Sequence, residues 1–218
     1  ADTVSITVSA DNDAPTVTSA IADATTAEDS SYSINAASAF TDVDDSMTYT
    51  MSGAPDSLSI SSGTISGTPL NADVGSHVIT VTATDGGGNS VSDAYTLTVT
   101  NVNDAPTVAS ALADASTNED ASYSLSVSGM CTDVDAGDSL AYSISGAPSA
   151  ITISGTTISG TPVNADVGTH TITVTCTDDS SATASDSYVL TVVDVNDAPS
   201  VSYTHLRAHE TPEHLVCR

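Results

Sequence analysis

The sequence predicts an all-β chain built from two β-sandwiches in tandem. Three observations predict it. A short stretch recurs as Asp11-Asn12-Asp13-Ala14-Pro15, Val102-Asn103-Asp104-Ala105-Pro106 and Val195-Asn196-Asp197-Ala198-Pro199, and its prolines stand 91 and then 93 residues apart. Self-similarity at a fixed period means repeated structural units. Apolar and polar residues alternate in many short runs, and clusters of Gly, Asn, Asp and Pro separate those runs. No segment sustains a helical period, and none approaches the ~18 apolar residues of a membrane span.

In chain order, residues 1–11 read as the last strand of a truncated upstream repeat. Thr3-Val4-Ser5-Ile6-Thr7-Val8 matches Ala94-Tyr95-Thr96-Leu97-Thr98-Val99. Such a strand has edges and no sheet of its own. The chain does not open with methionine, and its first residues lack the basic-then-apolar pattern of a secretory signal. The expectation is an internal piece of a longer protein.

The first full repeat covers residues 12–102. Tyr32, Ile34 and Ala36 share one strand face, and Met47, Tyr49 and Met51 share another. Ile65 lies in a short segment closed by Gly67-Thr68-Pro69. Ile79, Val81 and Ala83 form an inward row with Thr80 and Thr82 facing out, and Tyr95, Leu97 and Val99 complete the set. About seven short strands in roughly 90 residues is the pattern of an Ig-type sandwich. The second repeat, residues 103–195, follows the first, with Tyr123, Tyr142 and Tyr188 in the places of Tyr32, Tyr49 and Tyr95. An insertion, Ala136-Gly137, lengthens its acidic loop and accounts for the longer second period. The tyrosines alternate with apolar residues and read as core rather than as a ligand-stacking face. So few large side chains make thin cores, which bound cations would help to stabilise.

A third repeat starts at 196–200 and then stops resembling the others. Residues 201–218 read as a non-native tail: they resemble the peptide obtained when sequencing-adapter DNA is translated. His209-Glu210 lacks the second histidine of a His-Glu-x-x-His zinc helix, and Pro212 would break such a helix.

The chain carries 28 acids against two arginines, a formal charge of −26, and both arginines, Arg207 and Arg218, lie in the tail. A chain without basic residues over 1–200 excludes nucleic acid as a partner and disfavours anionic membrane surfaces. Its acids have no ordinary salt-bridge partners, so water or metal cations must neutralise them. The strict alternation argues against disorder, the default for acidic, aromatic-poor chains. No catalytic constellation is visible; His77 and His170 sit at equivalent strand starts without a nucleophile at suitable spacing. The expectation is a non-enzymatic chain.

Cys131 and Cys176 occupy the places of Phe40 and Ala83, so a large–small pair has become two cysteines. Both keep inward parity. In an Ig-type sandwich these strands face each other across the core, where antibody domains carry their inter-sheet disulfide. A Cys131–Cys176 disulfide follows, the alternative being two buried thiols. A disulfide fits an exported protein.

Calcium takes six to eight oxygen ligands, more than any short segment here supplies. Several loops at one end of a domain would have to converge. At the junction of the two repeats the candidates are Glu28, Asp73, Asn101, Asn103, Asp104, Asp133, Asp135 and Asp178. Equivalent positions elsewhere are Asn12, Asp13, Asp42, Asp44 and Asp85, and Glu119, Asp166, Asp194, Asn196 and Asp197. Taken singly, each would read as a solvated loop residue or turn former; it is their convergence without basic neighbours that points to calcium.

At these residues the chain resembles the cadherin superfamily, most nearly the dystroglycan-type cadherin-like (Ig-like) repeats of bacterial surface proteins. The resemblance covers residues 1–200. The Asp-x-Asn-Asp-Asn-x-Pro linker of cadherins is similar to Asp194-Val195-Asn196-Asp197-Ala198-Pro199, which is one residue shorter. The Asp-x-Asp loop looks like Asp42-Val43-Asp44 and Asp133-Val134-Asp135. The Ala-x-Asp loop is similar to Ala83-Thr84-Asp85, with Asp178 in the second repeat. The Leu-Asp-x-Glu motif is weakened to Leu70-Asn71-Ala72-Asp73 and Val163-Asn164-Ala165-Asp166, and the early glutamate corresponds to Glu28 and Glu119. The resemblance implies tandem seven-stranded sandwiches whose junctions are stiffened by Ca2+; the shortened linker, and Asn71, Asn164 and Asn101 where the family carries carboxylates, reduce the expected three ions to one or two per junction. It implies a repeat of a secreted or surface-anchored bacterial adhesin, with neighbouring repeats as partners and a cell-surface glycan or protein as a further one. A calcium-independent acidic spacer and an accessory module of a secreted enzyme are the alternatives.

Overall fold

The computed structural model describes residues 2–7 and 11–198. Nine strand segments form in the first repeat: β1 (Thr16–Val17), β2 (Ala24–Ala27), β3 (Tyr32–Asn35), β4 (Phe40–Thr41), β5 (Thr48–Ser52), β6 (Leu58–Ser61), β7 (Thr64–Gly67), β8 (Gly75–Thr84) and β9 (Ser90–Thr100). β2, β9, β8 and β5 make a four-stranded sheet, and β3, β7 and β6 a three-stranded one.

Two breaks turn seven expected strands into nine segments. The first strand changes sheets: β1 pairs antiparallel with β4, while β2 pairs parallel with β9. The Asp93 carboxylate accepts the Ile21 amide at 2.6 Å and Asp23 accepts the Thr96 amide at 2.7 Å, which fixes the crossing. The second break corrects the expectation that Ala36 continues the face of Tyr32 and Ile34. A 3-10 turn over Ala36–Ala39 interrupts the run. These small side chains have little strand preference, and the Gly63 carbonyl takes the Ala36 and Ala37 amides.

The core lies where the two sheets face each other. Ile79, Val81 and Ala83 of β8, Leu97 of β9 and Ile65 of β7 are fully buried, with Tyr32 and Tyr95 beside them. The two tyrosine hydroxyls meet at 3.3 Å, so neither polar tip is left unpaired.

The second repeat has the same plan. Its segments are β10 (Thr107–Val108), β11 (Ala115–Asn118), β12 (Tyr123–Ser126), β13 (Cys131–Thr132), β14 (Ala141–Ser145), β15 (Ile151–Ser154), β16 (Thr157–Gly160), β17 (Gly168–Thr177) and β18 (Thr183–Val193). The sheets are β11-β18-β17-β14 and β12-β16-β15, with β10 paired to β13. Tyr123 and Tyr188 repeat the hydroxyl contact at 3.1 Å. Cys131 on β13 and Cys176 on β17 are buried and disulfide-bonded, with Cα atoms 6.6 Å apart, inside the span a disulfide can bridge.

Gly53 and Gly146 end β5 and β14 with φ of +75° and +77°. A side chain there would run into the carbonyl of Val78 or Thr171. Gly146→Ala is expected to destabilise the second repeat by about 1–3 kcal/mol in urea unfolding, since neither the backbone nor the space admits it.

Residues 2–7 depart from expectation. They form no strand, and Val4 and Ile6 are 84% and 83% exposed. A period-two pattern without a partner sheet does not make a strand. Val8, the expected tail over 201–218 and Pro199 of the third repeat lie outside the described residues.

Contacts group the chain into two units. The first comprises Ala1–Ala111, Gly129–Tyr142 and Thr175–Ser185, and the second Leu112–Ser128, Ser143–Val174 and Asp186–Arg218. The first unit therefore contains Glu28, the Asn103-Asp104 linker and the loops bearing Asp133, Asp135 and Asp178.

Candidate cation-binding site

The site is assembled by short turns rather than by long elements. The Asp135 amide donates to Asp133 Oδ1 at 3.0 Å, an Asx-type turn that sets both carboxylates on one loop. The Asp104 amide donates to Asp135 Oδ2 at 2.8 Å, and the Asn71 side-chain amide donates to Asp135 Oδ1 at 2.9 Å. Asp135 is thus held from both sides and is 5% exposed. Asn103 Nδ2 donates to Asp178 Oδ2 at 2.9 Å, and the Ala182 amide to Asp178 Oδ1 at 2.7 Å.

Glu28 is placed by the parallel pairing of β2 with β9. Its amide donates to the Thr100 carbonyl, and the next residue, Asp29, turns away with φ of +56°. The Glu28 side chain is 1% exposed. Its Oε1 accepts the Val102 amide at 2.8 Å, while Oε2 is buried with no hydrogen-bond partner. Asp133 Oδ2 and Asp138 Oδ2 are orphaned in the same way, and one oxygen each of Asp133, Asp135 and Asp138 lie within 4.8 Å of one another.

Burial holds the Asp104 carboxyl above its usual range, reinforced by the charges of Asp135, Asp29 and Asp133. Burial does the same to Asp138, with Asp179, Asp135, Asp133 and Asp178 adding to it. Asp178 goes the other way, because the Asn103 amide and the backbone N–H groups of residues 180–182 outweigh burial. The signs decide the pH dependence. A carboxyl raised in the fold favours folding at low pH and loses that contribution as pH rises through its folded pKa. Asp178, being lowered, contributes above the usual carboxylate range and loses its contribution in acid. With chelator present, the Asp104→Asn, Asp138→Asn variant is expected to gain stability relative to wild type in urea titrations as pH rises above about 4, the range in which the two raised wild-type carboxyls ionise. A wild-type-to-variant difference that does not change with pH would contradict the assignment.

The other sequence candidates divide clearly. At the start of the first repeat, Asn12 Nδ2 reaches Asp85 Oδ2 at 2.9 Å, the Asp13 amide reaches Asp44 Oδ2 at 3.4 Å, and the Asp44 amide reaches Asp42 Oδ1 at 3.1 Å. At the end of the second repeat, Glu119 copies Glu28: Oε1 accepts the Val195 amide at 2.7 Å and Oε2 has no partner. Asp194, Asn196 and Asp197 are exposed, as is Asn101. The Asp73 and Asp166 carboxylates fold back onto the amides of Leu70 and Val163, three residues earlier. From that motif it is Asn71, not Asp73, that touches Asp135.

Asp29, Asp138 and Asp179 join the cluster without having been singled out from sequence. Asp138 and Asp179 stood in acidic runs beside Asp135 and Asp178, which was the available signal. Asp179 occupies the place of Gly86 and binds the Ser139 hydroxyl at 2.6 Å.

The donor set suits a hard cation. Buried carboxylate oxygens without a partner are costly, and residues 1–200 offer no Lys or Arg to pair with them. Calcium takes such carboxylate and amide oxygens at 2.3–2.6 Å. Asn71 and Asn103 now present N–H, and each would offer its oxygen only after turning the amide over.

The family model described as "Putative Ig domain" matches residues 14–100 and 105–193. The chain is similar to the "Serine-rich adhesin for platelets" of Staphylococcus aureus (strain MRSA252), with 35% identity over 163 residues, 72% of this chain and 11% of that protein. The chain therefore spans about a tenth of that relative's length. Among solved structures it is similar to human mucin-like protocadherin EC1-2, with a TM-score of 0.53 and 16% identity over 83% of this chain and 98% of that one. It is also similar to mouse cadherin-23 EC22-24, with a TM-score of 0.52 and 20% identity over 68% of this chain and 53% of that one. At such identities the structural likeness concerns the fold alone: tandem Ig-like and cadherin-like β-sandwiches.

Proposed function

We propose that this chain, which belongs to the "Putative Ig domain" family, is a calcium-binding structural repeat of a cell-surface adhesin. The observation that carries the reading is the pair of buried, unpartnered carboxylate oxygens on Glu28 and Asp133. Glu28, Asp104, Asp133 and Asp135 would hold Ca2+, with Asn71, Asn103 and Asp178 as adjustable partners. Bound calcium would supply the positive charge that residues 1–200, without Lys or Arg, do not provide. The residues' own part is mechanical: the Asx turn and the Val102 amide hold carboxylates in place, and their mutual repulsion loosens the linker when they are not neutralised. The similarity to a staphylococcal adhesin supports a role at the bacterial surface, as a non-catalytic spacer that presents a binding region carried elsewhere in its parent, towards a glycan or protein. Small-angle scattering during calcium titration tests it. The maximum dimension and its spread are expected to change on addition of calcium; an unchanged profile would count against the reading.

A calcium-independent acidic spacer is favoured by one observation, that Asp73 and Asp166 are occupied by their own turns. Under that reading, sodium chloride would stabilise as well as calcium does.

A further inference from the structure

We infer that each repeat carries tension along the chain through a force clamp: the parallel pairing of its first and last strands, reinforced by two carboxylates that each hold the other strand's backbone. These are Asp23 and Asp93 in the first repeat and Asp114 and Asp186 in the second. The clamp rests on the spacer role proposed above and not on bound calcium.

Topology comes first. β2 pairs parallel with β9, from Ala24↔Leu97 to Ala27↔Thr100, and β11 pairs parallel with β18, from Ala115↔Leu190 to Asn118↔Val193. The pairs β3–β7, β6–β7, β5–β8 and β8–β9 are antiparallel. The chain enters the first repeat ahead of β2 and leaves it beyond β9. Tension along the chain therefore pulls the N-terminal end of β2 against the C-terminal end of β9. In a parallel pair those ends lie at opposite ends of the ladder, so the pull shears it. Its evenly spaced bonds must then fail together. An antiparallel pair of first and last strands would be loaded at one end and open bond by bond. β1, which meets the pull before β2, is held by only two residue pairs with β4 and is the weaker hold.

Side chains lengthen the clamp at both ends. Ahead of β2, Asp23 Oδ1 accepts the Thr96 amide at 2.7 Å and the Ile21 amide donates to Asp93 Oδ2 at 2.6 Å. Beyond β2, the Glu28 amide donates to the Thr100 carbonyl and Glu28 Oε1 accepts the Val102 amide. The second repeat copies each contact. Asp114 Oδ1 accepts the Val189 amide at 2.8 Å, the Leu112 amide donates to Asp186 Oδ2 at 2.6 Å, and Glu119 bonds Val193 and Val195. Hydrogen bonds from a backbone N–H to a carboxylate are about twice as strong as neutral ones. Aspartate is disfavoured within strands, yet Asp93 and Asp186 stand inside β9 and β18. The clamp accounts for that local conflict. The disulfide adds a stop in the second repeat. Once that repeat opens, the Cys131–Cys176 link, with a sequence separation of 45, withholds about 150 Å of extended chain.

The test stretches the full chain between its ends in an optical trap, in chelator, so that calcium plays no part. The second repeat's opening step is expected to be the shorter one and to lengthen by about 150 Å in reductant, which tells the repeats apart. Asp23→Ala with Asp93→Ala is expected to open the first repeat roughly tenfold or more faster at equal tension and to leave the second within about twofold. Asp23→Asn with Asp93→Asn, whose amide oxygens still accept, is expected to recover part of the resistance. Ile65→Val, in the sheet away from the clamp, separates tension from stability: it is expected to lower the urea midpoint but to change the opening rate under tension by about twofold or less. An alanine pair that opens no faster than Ile65→Val overturns the inference. Should that pair fail to fold, Asp114→Ala with Asp186→Ala moves the same comparison to the disulfide-linked repeat. A scattering profile that ignores calcium, with the clamp intact in the trap, would remove the calcium reading alone.

Discussion

Replacing Cys131 and Cys176 by alanine is expected to destabilise the second repeat by about 2–4 kcal/mol while leaving the first repeat's unfolding unchanged. The link spans 45 residues, a loop long enough for its removal to enlarge the unfolded ensemble substantially. It also joins β13, a two-residue strand paired only with β10, to the long central strand β17. Without the link, β13 depends on a short pairing and on packing alone. The first repeat indicates a partial remedy, since Phe40 and Ala83 fill the same places there and are 6% and 0% exposed. Cys131→Phe with Cys176→Ala is expected to recover part of the loss by filling the void. Urea unfolding with and without reductant measures both. A midpoint that does not respond to reductant would contradict the structural role of the link.

The second large effect concerns calcium itself. At a hundredfold excess over the dissociation constant, a ligand that binds only the folded state adds about 2.7 kcal/mol. Chelation is expected to remove that increment, and Asp135→Asn to abolish the response, because Asp135 is the one carboxylate contacted from both the linker and Asn71. Glu28→Gln gives a distinct signature. The amide oxygen can keep the Val102 contact, while the orphaned charge at Oε2 disappears. The variant is expected to be more stable than wild type in chelator and less stable than wild type in calcium. Such a crossing of the two curves separates loss of a ligand from general damage, which would lower both.

Much of the fold was legible because the side-chain period of two is written directly into β8, β9, β17 and β18. The cysteine pair was legible because its places in the first repeat hold a large and a small residue. Local breaks were not. Ala36 continued an alternating pattern, yet the Gly63 carbonyl drew its amide into a 3-10 turn. Residues 2–7 carried a strand pattern with no sheet to receive it. At the site, the Asp133-Val134-Asp135 turn and the early glutamate could be read from residue type and spacing. The exchange of Asp73 for Asn71 could not, because it depends on a carboxylate folding back three residues onto the Leu70 amide. Asp138 needed the folded course of the Ala136-Gly137 insertion before its neighbours became visible.

The proposed function depends on acids that have no cationic partner among the described residues acquiring one from solution. Isothermal calorimetry of the chelator-stripped chain is the most direct test. The expected result is saturable calcium uptake that survives physiological sodium chloride and is lost in Asp135→Asn. Heats no larger than dilution, or uptake that Asp135→Asn leaves untouched, would contradict it.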